Sequence, residues 1–111
     1  MEKERRRTPR YPFTASAEVV PDSARSGIPA QVTELSLYGC FLEMVDPLEE
    51  GAKAKIKIYA EGRFFEAKAT VVSSRPNQGM GVSFQNVYPH YRTVLRVWLL
   101  EAAHTKFGKR G

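Results

Sequence analysis

The sequence predicts a mainly β fold: a small six-stranded antiparallel β-barrel with a C-terminal α-helix, preceded by a flexible basic N-terminal arm. Three observations lead there. Apolar residues recur with a period of two in six short runs, proline, glycine and asparagine turns separate those runs, and after Pro89 the period lengthens to 3.6. A length of 111 residues holds one domain. The expected divisions are an arm over residues 1–12, a barrel with its helix over 13–104, and a basic tail over 105–111.

Thr8-Pro9 and Tyr11-Pro12 each push the residue before proline toward extended backbone, so a helix at the start is disfavoured. From Phe13 to Val20 the chain alternates, with Phe13, Ala15, Ala17 and Val19 on the core side, as a first strand. Ile28, Ala30 and Val32 alternate with Pro29, Gln31 and Thr33 in a second strand that ends near Leu35. Ser36 to Gly39 reads as a tight turn, and Cys40 to Val45 as a short third strand before the break at Asp46-Pro47. Ala52, Ala54, Ile56 and Ile58 alternate with Lys53, Lys55, Lys57 and Tyr59, a half-buried strand with its lysines toward water. Glu61-Gly62 supplies a hairpin turn, after which Phe65, Ala67, Ala69 and Val71 return. Asn77 to Gly79 makes another turn into a sixth strand with Met80, Val82 and Phe84 inward. Tyr91, Val94, Leu95, Trp98, Leu99 and Ala102 then fall on one face of a helix over about Pro89 to His104, with Gly108 and the basic tail beyond it and Val97 and Leu100 exposed beside the core stripe.

The net charge is +5, with a pI near 9.6. Residues 1–10 carry net +3, residues 106–111 net +3, and the stretch between them net −1. The folded body is therefore nearly neutral, and the excess sits on the two ends. A hydrophobic content of 42% and a mean hydropathy of −0.39 fit a globule that buries a core. The basic N-terminus lacks the apolar segment of a signal peptide, no run approaches the ~20 apolar residues of a membrane span, and the single Cys40 cannot form an internal disulfide. A reducing cytoplasm is the expected compartment.

The residues offer little for catalysis, and no enzymatic activity is expected. His90 and His104 are the two histidines, and fourteen helical residues hold them ~20 Å apart, too far to share a metal. With one cysteine and no Cys/His spacing, a zinc site is not expected, nor is any cofactor. Cys40 in an apolar strand reads as a small core residue. Gly79-Met80-Gly81 opens like a dinucleotide fingerprint but lacks the third glycine and leads into a strand.

Two segments are left over by these folding arguments. In Arg5-Arg6-Arg7-Thr8-Pro9-Arg10, an extended arm spaces Arg6 and Arg10 by at most ~13–14 Å, close enough to converge on one anion. Arginine suits that task, since its planar fork contacts phosphate oxygens and the O6/N7 edge of guanine, and it stacks on flat rings. In Glu34-Leu35-Ser36-Leu37-Tyr38-Gly39, a carboxylate and a hydroxyl two residues apart project to the same side of a strand end. The carboxylate can accept guanine N–H donors, and Ser36 can contact the base nearby or bond its own backbone as plain turn chemistry.

Taken together and in this order, the two segments resemble the PilZ domain family. That family carries RxxxR just before the first strand, here Arg6 to Arg10, and (D/N)xSxxG between the second and third, here Glu34 to Gly39. The resemblance runs from about Glu4 to Glu101 and includes the glycine-flanked last strand Gly79-Met80-Gly81-Val82-Ser83-Phe84. It implies a PilZ-like split barrel and a bacterial receptor for cyclic di-GMP in second-messenger signalling. Arg6 and Arg10 would hold phosphates and guanine edges, with Arg7 and additionally Arg5 as further charge; Ser36 and residue 34 would contact a guanine; Gly39 would keep the turn clear. It further implies that ligand orders the arm against the barrel and so alters a downstream protein partner.

Glu34 departs from the family pattern. Its carboxylate reaches ~1.3–1.5 Å further than an aspartate's, and a misplaced charged hydrogen bond costs about 1.5–3 kcal/mol, or one to two decades of affinity. This residue favours an alternative, a PilZ-like protein-protein adaptor that does not bind nucleotide. General nucleic-acid binding is a further alternative, opposed by Phe13, Phe65, Phe84 and Trp98 lying on core faces, which leaves Tyr38, Phe41, Tyr59 and Phe64 as outward aromatics. No DNA or RNA partner is expected.

Overall fold

The computed structural model describes residues 8–108. In chain order it contains β1 Arg10–Pro21, β2 Ile28–Ser36, β3 Gly39–Glu43, β4 Lys53–Ala60, β5 Arg63–Arg75, β6 Gly79–Gln85 and α1 Pro89–Gly108. The strands close into a barrel in the order β1-β2-β3-β6-β5-β4, with β4 returning to β1 and every neighbouring pair antiparallel. Closure leaves no unpaired edge.

The period-two runs point inward as their sequences predict. Val19, Val32, Leu35, Leu42, Ile56, Ile58, Phe65 and Met80 are fully buried inside the barrel. Helix α1 packs on β5 and β1 and drives Leu95 and Trp98 into the barrel end. The Trp98 ring lies 5.4 Å from Phe13 and 6.3 Å from Phe65, in tilted contacts. Its Nε1–H finds no hydrogen-bond partner, so apolar and aromatic packing is what holds it there.

The outer lysines of β4 are compensated across the ladder. Lys57 lies opposite Glu18 of β1 and Glu66 of β5. Lys55 pairs with Glu66 at 3.4 Å, and Lys68 with Asp22 at 3.8 Å. The β4–β5 hairpin turns on Glu61 (φ 50°) and Gly62 (φ 75°), both left-handed, which matches the strand twist of a two-residue loop.

Several boundaries differ from the sequence reading. Strand β1 starts at Arg10, so Tyr11 and Pro12 belong to it, and β3 ends at Glu43 because Met44 N–H leaves the ladder for the Gln78 carbonyl. The helix runs past His104 to Gly108, since no proline or glycine between them interrupts it. Val97 is half-buried rather than exposed, whereas Leu100 is exposed.

Three register shifts interrupt the ladders: at Pro12/Ala15 between β1 and β2, at Val32/Glu34 between β2 and β3, and at Val71/Ser73 between β5 and β6. Bulges bend a strand and re-aim side chains. Two of these shifts border the cleft described next.

Candidate functional site

The start of β1, the end of β2 and the start of β3 meet at one rim of the barrel. The ladder places Arg10 opposite Ser36, and Gly39 opposite Ser83 of β6. Between Ser36 and Gly39 the turn is pinned by side-chain and backbone bonds. The Ser36 hydroxyl donates to the Gly39 carbonyl (3.2 Å) and accepts from the Tyr38 N–H (3.2 Å), while the Phe84 N–H donates to the Tyr38 carbonyl (2.8 Å). Ser36 is buried and spends its one proton on this turn. A single lone pair remains on the oxygen. The turn chemistry and a place in the cleft lining therefore coincide in one residue.

Gly39 is required for a reason other than turn conformation. A Cβ there would run into the Val82 carbonyl oxygen of β6, because β3 and β6 approach closely at this rim. The glycine lets the motif turn seat directly on the neighbouring strand.

Beside this turn lies a cleft of about 840 Å³ on the outer wall, spanning the adjacent strands β1, β2, β3, β6 and β5. Arg10, Glu34, Ser36 and Gly39 all line it. Arg10 is exposed and Glu34 half-buried, giving the cleft one cation and one carboxylate among the described residues. Its volume lies in the range of small-molecule sites. Arg5, Arg6 and Arg7 lie outside the described residues.

The cleft also contains residues that the sequence reading did not assign to it. Tyr38 stands exposed at its edge, Val72 and Ser73 enter from the β5 bulge, and Gly81 and Ser83 come from β6. The Ser73 hydroxyl accepts from the Gly81 N–H at 3.3 Å. Tyr38 could have been singled out as the one aromatic inside the motif. Val72 faces outward by the same alternation that buries Val71, but its place in this cleft depends on the pairing of β5 with β6, which local sequence does not report.

Cys40 borders the cleft but is buried, and burial pushes its thiol up to about 12. It remains protonated at neutral pH, in line with a core residue and not a nucleophile. No cluster of metal-ligating side chains is present among the described residues. A second, more open cleft of about 700 Å³ lies toward the opposite rim, between Gln31, Glu43, Asn77 and Gln78. It has no cation in its lining and is the poorer match for an anion.

The fold is a closed barrel with a cleft on its wall and Arg10 opposite the motif turn. The chain belongs to the PilZ domain family, which matches it over residues 4–101. The fold is similar to the PilZ domain of YcgR from Escherichia coli with c-di-GMP: TM-score 0.74 and 20% identity over 96% of this chain and 97% of that one. It is also similar to YcgR from Escherichia coli in complex with c-di-GMP, at TM-score 0.77 and 21% identity over 96% of this chain and 49% of that one. A third relative is the Bacillus subtilis inhibitor of motility MotI/DgrA, with TM-score 0.72 and 16% identity over 95% and 53%. The chain thus spans about half of these two larger proteins. No curated protein sequence matches it significantly.

Proposed function

We propose that this chain is a cyclic di-GMP receptor module without enzymatic activity, working in bacterial second-messenger signalling in the cytoplasm. The observation that carries this reading is the register pair Arg10 and Ser36, which joins the arginine arm to the ExSxxG turn at one cleft of a PilZ barrel. The ligand presents two phosphate charges and two guanine edges, and arginine forks with one carboxylate and one hydroxyl acceptor match both. Arg10 would hold a phosphate or a guanine edge together with Arg6, and Arg7 and Arg5 would add charge from the same arm. Glu34 would accept from a guanine Watson–Crick edge, with the remaining Ser36 lone pair beside it.

Binding would then fix the arm that carries Arg6 against the barrel, and a downstream protein partner would read that change. Lys55 and Lys57 of β4 and Lys68 of β5 already face carboxylates, which supports a small dianion over DNA or RNA as the partner. Among the described residues no helix is long and apolar enough to cross a membrane.

Isothermal titration with cyclic di-GMP tests the proposal. Saturable binding that Arg10→Ala weakens by about one to two decades is the expected result; no heat at tens of micromolar protein would overturn it. Glu34 favours a second reading, a protein-protein adaptor that binds no nucleotide, which a partner interaction unaffected by added dinucleotide would support.

A further inference from the structure

The cleft mixes polar and apolar lining, and two of its apolar side chains, Tyr38 and Val72, stand exposed. Tyr38 is 62% exposed, although its backbone is held on both sides of the residue, by Ser36 Oγ on its N–H and by Phe84 N–H on its carbonyl. Such a ring has little to lose on binding beyond its two side-chain torsions. Val72 is 58% exposed, facing outward from β5 next to inward Val71. A Cβ on Gly81 would meet the Ser73 Oγ at 2.9 Å, with Val72 Cγ2 at 3.9 Å and Phe41 Cδ1 at 4.0 Å, so glycine leaves room for the Ser73 hydroxyl between these two side chains.

A buried position for an aromatic ring would be explained by folding, but Tyr38 contributes almost nothing to the core, and a rigid turn presents it to a cleft. A planar ring bearing a polar edge fits such a cleft: its face can lie against Tyr38 while its edge meets the polar lining of Arg10, Glu34 and Ser36. We infer that Tyr38 is the stacking wall for a guanine base and sets affinity for the purine, an inference that rests on the cyclic di-GMP reading above.

The test is titration of cyclic di-GMP into wild type, Tyr38→Ala and Tyr38→Phe, with the guanine H8 proton followed by NMR. Base-aromatic stacking predicts that Tyr38→Ala binds about 5- to 150-fold more weakly, and that Tyr38→Phe stays within about twofold of wild type. The H8 resonance should shift upfield on binding to wild type and Tyr38→Phe, and lose that ring-current shift in Tyr38→Ala. Thermal melting should be unchanged in both variants, given the exposure of the ring. Wild-type affinity in Tyr38→Ala would overturn this inference alone and leave the receptor reading intact. Tyr38→Phe as weak as Tyr38→Ala would also overturn it, because the hydroxyl and not the ring face would then make the contact. Absence of binding by wild type would overturn the receptor reading and this inference with it.

Discussion

Arg10 and Ser36 are cross-strand partners in the β1–β2 ladder. They are 26 positions apart in sequence, and strand pairing alone brings the last arginine of RxxxR beside the hydroxyl of the ExSxxG turn. Because β1 extends back to Arg10, this arginine is anchored in the sheet rather than carried on the arm. In the proposed site, Arg10 is thus part of the barrel wall.

That placement predicts unequal roles for the arginines. Arg10→Ala removes a charge held beside the turn, and should cost about 1.5–3 kcal/mol of cyclic di-GMP binding, one to two decades in affinity. Arg6→Ala should weaken binding too, with a larger effect on any ligand-dependent protection of the arm from proteolysis. Titration and limited proteolysis of both variants check this. Equal protection in wild type and Arg6→Ala would contradict the assignment.

For Gly39 the prediction concerns stability first. The Val82 carbonyl occupies the space of any Cβ, so Gly39→Ala should force β3 and β6 apart and destabilise the fold by about 1–3 kcal/mol. Denaturant unfolding measures it. If the variant unfolds like wild type, the close approach of the two strands is not what selects glycine.

Glu34 sits where the β2–β3 register shifts, pairing with Pro12 on one side and Phe41 on the other. The extra methylene of glutamate places its oxygens deeper in the cleft than an aspartate would. Glu34→Asp is therefore expected to bind cyclic di-GMP as tightly as wild type or up to about tenfold more tightly. A weaker complex on titration would show that the strand geometry here is already adapted to the longer side chain.

Much of this molecule can be read from local sequence, and the exceptions share a physical cause. The alternation from Ala52 to Tyr59 was decisive because β4 is half-buried along its whole length and keeps one register with both neighbours. In β2 the same logic runs out after Val32: the bulge shifts the phase so that Leu35 turns inward, and simple alternation does not report it. Ser36 and Gly39 were legible as a motif, yet the reason for Gly39 was not, since Val82 reaches it only through the pairing of β3 with a strand 40 residues further on. Val72 and Gly81 join the cleft by the same long-range closure. Local period reveals faces; bulges and barrel closure decide which outward residues meet.

Cys40 should be inert in the native protein. With burial raising its thiol to about 12, the reactive thiolate is scarce at pH 8, and a disulfide reagent should modify it only as fast as the barrel opens. The raised value also means that the fold retains this proton more firmly than the unfolded chain does. That stability is fully present below the ordinary cysteine pKa of ~8.5 and is lost as pH climbs toward 12. Rapid labelling at pH 8 without denaturant would contradict the burial assigned to Cys40.

Glu61 in the β4–β5 hairpin turn has the Glu101 carboxyl of α1 beside it. The shared hydrogen bond and the repulsion between the two carboxylates raise the Glu61 pKa above its ordinary value, and Arg63 nearby opposes the shift. A raised carboxyl pKa means that the folded state binds the proton more tightly than the unfolded state. The contribution is therefore fully present below the ordinary glutamate pKa of ~4.3 and declines as pH rises through the folded-state value. Glu101→Gln keeps a hydrogen-bond donor for Glu61 while deleting the repulsion, so the variant should gain stability relative to wild type at pH 7 and show little difference from it at pH 4. Denaturant unfolding of both proteins at the two pH values supplies the comparison. A constant stability difference across that interval would show that Glu101 does not perturb the Glu61 carboxyl.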